Sequence, residues 1–110
     1  MGIFDTGTIP STPFYTHMKK NVNAHILVSG VVQGVGFRYF TSRLADQHGL
    51  TGWVRNTPAG KVEIVVEGDK GLITSFIKEV QVGPTSGHVT TIDVQWKEYT
   101  GTHKDFRVRL

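Results

Sequence analysis

The stretch Gly30-Val31-Val32-Gln33-Gly34-Val35-Gly36-Phe37-Arg38 joins two different periodicities, and its reading decides the fold. Before it, Ala24, Ile26 and Val28 alternate as one face of a strand; after it, Phe37, Phe40, Leu44 and Ala45 recur at helical spacing. The junction is therefore a strand, a glycine-permissive turn and a helix N-terminus. Glycines let the backbone bend so that several N–H groups converge, and a helix N-terminus adds unpaired donors and a partial positive charge. Arg38, in the first turn of the helix, adds a planar fork of donors suited to phosphate oxygens. Together these make a preformed cradle for a dianionic oxyanion.

Working outward, residues 23–32 read as a strand with Ala24, Ile26, Val28 and Val32 on one face, and residues 37–48 as a helix. Gly49 stands at the expected C′ position, with Leu50 placed for the hydrophobic contact that often follows. Residues 51–56 form a second strand, Thr57-Pro58-Ala59-Gly60 a tight turn, and residues 61–67 a third strand with Val62, Ile64 and Val66 inward. Asp69 is an N-cap for a second helix with the stripe Leu72, Ile73, Phe76, Ile77 and Val80, ended by Gly83-Pro84. A fourth strand over 88–98 alternates Ile92, Val94 and Trp96 against Thr91, Asp93, Gln95 and Lys97, and Phe106, Val108 and Leu110 mark a short edge strand carrying charge. The order βαββαβ plus a short final strand predicts an α+β fold, a ferredoxin-like α/β sandwich. Its two helices cover one face of a mostly antiparallel sheet.

The chain has 110 residues, 38% apolar and 19% charged, which fits one ordinary globular domain. Its formal charge is +3 and its basic residues are scattered, so a solvated surface accounts for them better than a nucleic-acid footprint. With no cysteine there is no disulfide framework, no thiolate ligand and no cysteine nucleophile. No apolar run approaches the ~20 residues of a membrane-crossing helix. Residues 1–21 hold Gly2, Gly7, Pro10 and Pro13 without periodicity, and lack the basic and apolar regions of a signal peptide. They are expected to be a flexible N-terminal extension to a domain over 22–110, in a cytoplasmic, monomeric protein.

The second informative segment is Gly52-Trp53-Val54-Arg55-Asn56. An asparagine at a strand end before a turn ordinarily serves the turn. The alternative is that the register of strand two delivers Asn56 to the cradle, and the residues alone leave both open. Here the chain resembles a known family. Val28-x-Gly30-x-Val32-Gln33-Gly34-Val35-x-Phe37-Arg38 looks like the first signature of the acylphosphatases. Gly52-Trp53-Val54-Arg55-Asn56, with Gly60, Val62 and Gly68 following at matching spacing, looks like the second. The resemblance spans about residues 22–110.

What the resemblance implies is metal-independent hydrolysis of the carboxyl–phosphate anhydride of small acyl phosphates, with inorganic phosphate as product and no cofactor. Arg38 and the backbone N–H groups of Gln33, Gly34, Val35, Gly36, Phe37 and Arg38 would hold the phosphoryl oxygens, and Asn56 would orient the attacking water. The sparse equipment suits the chemistry. Carboxylate is a good leaving group, and a loose phosphoryl-transfer transition state needs charge stabilisation and positioning more than a strong base.

Other signals carry less. The third glycine of a dinucleotide fingerprint is replaced by Tyr39, and no Gly-Lys-Ser/Thr follows the glycines. His17, His25, His48, His88 and His103 have no metal-ligand spacing. Asp46 and Glu63 lack a carboxylate partner and read as solvated surface charges, and Trp53 and Trp96 as core or sheet-face aromatics. RNA-recognition domains share this element order, but strand three here has no aromatic and carries Glu63 and Glu67, which argues against nucleic acid. A domain that binds phosphate or carbamoyl phosphate without turnover is the remaining alternative.

Overall fold

The computed structural model describes residues 20–110. Strand β1 (Asn21–Val31) runs into helix α1 (Phe37–Gln47), followed by β2 (Thr51–Asn56), β3 (Val62–Asp69), helix α2 (Lys70–Val82), β4 (His88–Glu98) and β5 (Phe106–Val108). β1 begins at Asn21, inside the stretch expected to be the extension; residues 1–19 of that stretch lie outside the described residues. The five strands form one sheet in the order β4-β1-β3-β2-β5. All neighbours are antiparallel except β5, which lies parallel to β2 on the edge.

Period-two alternation gives the sheet one buried face. Ala24 pairs with Val66, Ile26 with Ile64 and Val28 with Val62. All six are fully buried, with Val54 opposite Ile64 on the other side of β3. Both helices cover this face, α1 through Phe37, Thr41, Leu44 and Ala45 and α2 through Ile73, Phe76 and Val80. The predicted helix boundaries hold for physical reasons. Asp69 accepts the Leu72 N–H at 3.1 Å as the N-cap of α2. At the end of α1, Gly49 N–H bonds Asp46 O (3.1 Å) and Leu50 N–H bonds Ala45 O (2.9 Å), the paired bonds of a Schellman closure. Among the described residues, no helix is long and apolar enough to cross a membrane.

Two expectations need correction. Leu72 belongs to the expected apolar stripe of α2 but is 44% exposed, at the edge of that stripe. Trp96, 43% exposed, is a sheet-face aromatic. Trp96 sits near the free end of an edge strand, with the Lys70 ammonium 5.2 Å from its ring centroid. Glu63 is not a solvated surface charge. Its side chain is 17% exposed, with Arg55 Nε at 2.5 Å and His25 Nε2 at 2.6 Å. Arg55 is its direct cross-strand partner on β2, and His25 a diagonal one on β1, so the strand register creates the cluster.

Glu67 is the other feature that composition conceals. It is buried at 1% exposure and accepts four hydrogen bonds, from Asn23 Nδ2 (2.8 Å), Thr100 N–H (2.8 Å), Thr100 Oγ1 (2.8 Å) and Gly101 N–H (3.0 Å). It thereby ties the connection between β4 and β5 to the sheet centre. Burial pushes this carboxyl up, but the donated hydrogen bonds outweigh it and hold the group below the ordinary glutamate range. A depressed folded-state value means stability that is present above the unfolded-state value and lost as pH falls through the folded one. The melting temperature should therefore drop steeply on acidification below about pH 4.3. Glu67→Gln should flatten that limb and cost about 2 kcal/mol at pH 7 in urea unfolding. An unchanged acid limb would remove Glu67 from the account.

Candidate active site

The topology sends three chain segments to one end of the sheet. β1 and β2 both pair antiparallel with β3, so they run in the same direction and end on the same side. Register makes this quantitative: Val62 of β3 faces Val28 of β1 on one side and Asn56 of β2 on the other. The loop leaving β1 and the last residue of β2 therefore meet. β5, parallel to β2, brings Arg109 to the same end.

The loop after β1 reaches α1 through Gly34 and Gly36, with φ of 75° and 77°, a left-handed conformation that side-chain-bearing residues adopt only at a cost. Gly36 is the N-cap of α1, and no side chain caps the helix. The first helical bond runs from Phe40 N–H to Gly36 O (3.0 Å), so the N–H groups of Phe37, Arg38 and Tyr39 precede the hydrogen-bonded ladder. In most helices a serine, threonine or aspartate would take one of these donors. Here that end opens on a pocket of about 160 Å³. Gly34 and Gly36 come to it from the loop, Val32 and Phe37 from the core, Arg38 and Tyr39 from the helix, and Asn56 from β2. None of these seven residues is acidic, and the arginine and the helix N-terminus both favour an anion.

Of the residues expected at the cradle, Gly34, Gly36, Phe37, Arg38 and Asn56 line this pocket. Gln33 and Val35 are in the same loop but do not line it. The Gln33 side chain turns to the neighbouring hairpin, where Nε2 donates to Thr57 O (2.9 Å) and Lys61 O (2.9 Å). That pair of bonds braces the loop against the turn that directly follows Asn56. Gln33→Ala should therefore lower kcat by about tenfold through misplacement, with a smaller change in stability. Equal kcat in variant and wild type would reduce the brace to a structural detail.

The open question about Asn56 has a geometric answer. The turn is served by its neighbour: Thr57 N–H bonds Lys61 O (2.9 Å), and Thr57 Oγ1 accepts the Lys61 N–H (3.1 Å). Asn56 takes no part, and its Oδ1 is buried without a hydrogen-bond partner among the described residues. A buried acceptor left unpaired costs about 1–3 kcal/mol.

Arg38 is held from the C-terminal side, by a contact that no sequence pattern foretold. Its Nη1 donates to the carbonyl of Arg109 (2.7 Å), 71 residues away. Arg109 is in turn fixed by its N–H to Val54 O (2.8 Å) and by its guanidinium lying 4.3 Å from the centroid of the Trp53 ring. One donor of the Arg38 fork is thus used for orientation and the others are left for a ligand.

Set against known proteins, residues 24–108 match the Acylphosphatase family model. The chain belongs to the acylphosphatase family. A Chlorobaculum tepidum acylphosphatase is 44% identical over 84 residues, covering 76% of this chain and 91% of that protein. One from Thermococcus kodakarensis is 46% identical over 82 residues, 74% of this chain and 90% of that one. Among solved structures, the acylphosphatase from Bacillus subtilis superposes with a TM-score of 0.79 at 39% identity, covering 81% of this chain and 99% of that one. The sheet with two helices on one face is therefore the ferredoxin-like fold of the acylphosphatases, as the element order implied.

Proposed function

We propose that this acylphosphatase hydrolyses the carboxyl–phosphate anhydride of small acyl phosphates, with Arg38 and the loop Gln33–Arg38 holding the phosphoryl group and Asn56 orienting the water. Family membership supports the reaction. The observation that carries the division of roles is the convergence of an uncapped helix N-terminus, a tethered arginine and Asn56 on one small pocket.

The phosphoryl oxygens lie against the free N–H groups and the Arg38 fork, which are oriented before substrate arrives and so lose nothing to reorganisation as charge redistributes. The Asn56 side-chain amide holds the water by a hydrogen bond and aims the water's lone pair at phosphorus, in line with the departing carboxylate. The P–O bond to the acyl group breaks as the bond to water forms, and a phosphoryl oxygen takes the water's proton. Products are a carboxylate and inorganic phosphate, which binds the same cradle as a competitive inhibitor.

The family match begins at Ala24, which supports residues 22–110 as the catalytic unit and 1–21 as an extension. We place the enzyme in the cytoplasm. The test is release of phosphate from acetyl phosphate in the presence of EDTA, beside p-nitrophenyl phosphate as a monoester control. Turnover of the first far above the second is expected. Saturable phosphate binding with no hydrolysis of acetyl phosphate would instead identify a binding domain.

A further inference from the structure

The pocket at the start of α1 is small, about 160 Å³, and seven residues line it. A phosphoryl group held by the loop N–H groups and Arg38 leaves the acyl group to the lining that those roles do not use. Most of the lining is already committed. Val32 and Phe37 are 1% exposed and belong to the core, the glycines have no side chains, and Arg38 and Asn56 face the phosphoryl group and the water. The remaining lining residue is Tyr39, 65% exposed. It is the third residue of α1, and helical side chains lean toward the helix N-terminus, the end at which the pocket lies.

We propose that Tyr39 is the acyl-group contact of the enzyme, and that its ring selects acyl phosphates with a planar, aromatic acyl group over those with a short aliphatic one. The inference rests on the acyl phosphate reading above and adds the class of acyl group to it. An aromatic ring stacked on Tyr39 gains contact that a methyl group cannot make, and stacking of this kind is worth about three- to tenfold in binding. The ring is far from the breaking bond, so the gain falls on substrate and transition state alike and is read in KM.

The experiment compares kcat/KM for benzoyl phosphate and acetyl phosphate in wild type, Tyr39→Phe and Tyr39→Ala. The differing reactivity of the two substrates cancels when their ratio is compared between variants. The benzoyl-to-acetyl ratio should fall about three- to tenfold in Tyr39→Ala, mostly through KM for benzoyl phosphate, and be retained in Tyr39→Phe, which keeps the ring. An unchanged ratio in Tyr39→Ala would overturn the proposal. So would an equal loss on both substrates, because Tyr39 would then act on the phosphoryl end. If wild type hydrolyses neither substrate, the acyl phosphate reading itself has failed, a result distinct from either of these.

Discussion

Arg38→Lys is expected to lose about 10²- to 10³-fold in kcat, with the melting temperature little changed. The arginine does two things at once: Nη1 donates to Arg109 O at 2.7 Å, and the rest of the fork faces the pocket. A lysine offers one compact charge at the end of a flexible stem. If it reaches the Arg109 carbonyl it leaves the phosphoryl oxygens, and if it reaches the oxygens it loses its tether. The charge survives the substitution while the two-point geometry does not, so the variant separates orientation from electrostatics. A kcat/KM within a few fold of wild type would mean that positive charge alone suffices, and the assigned role of the fork would fall.

The second large effect is expected at Asn56. Asn56→Ala should lower kcat by about a hundredfold or more while leaving KM and inhibition by phosphate nearly unchanged, because the residue places water and not substrate. Stability supplies an independent check. Asn56 Oδ1 has no partner to lose and the turn bonds belong to Thr57, so unfolding free energy should shift by less than about 1 kcal/mol. A variant that loses affinity at constant kcat would make Asn56 a binding residue. A variant that loses stability at constant kcat would return it to the turn.

What could be read from the sequence was local. Alternation in β1 and β3, the Asp69 cap, the closure at Gly49 and the strand–glycine–helix junction each depend on residues a few positions apart, where backbone sterics and periodicity act directly. The two segments of the site were equally legible, although their meeting was not. Asn56 reaches the cradle only because both β1 and β2 lie antiparallel to β3, with Val62 as the shared register point.

What escaped was polar and long-range. Glu67 looks like one more charge on a strand until the connection after β4 places three donors around it and Asn23 of β1 a fourth. Glu63 acquires Arg55 and His25 through register, and Arg38 acquires its tether from a carbonyl, a group that every residue carries and no motif marks. The Gln33 side chain was another such case. Its amide spans to the next hairpin, a contact of which the loop pattern gives no sign. Such contacts are fixed by how elements stack, and single-sequence periodicity has no access to that.

The central claim is that one anion cradle exists in the folded chain before any substrate arrives, and that Arg38 is part of it. Thermal unfolding in increasing inorganic phosphate, at constant ionic strength, tests this most directly. An unfolded chain has no cradle, so phosphate must stabilise the fold by about 1.4 kcal/mol at ten times its dissociation constant. Wild type should show a melting temperature that rises and then follows the shallow logarithmic course of one-site binding, and Arg38→Gln should lose that response. An equal rise in both proteins would mean that phosphate acts through general exclusion from the surface, which contradicts a site built on Arg38.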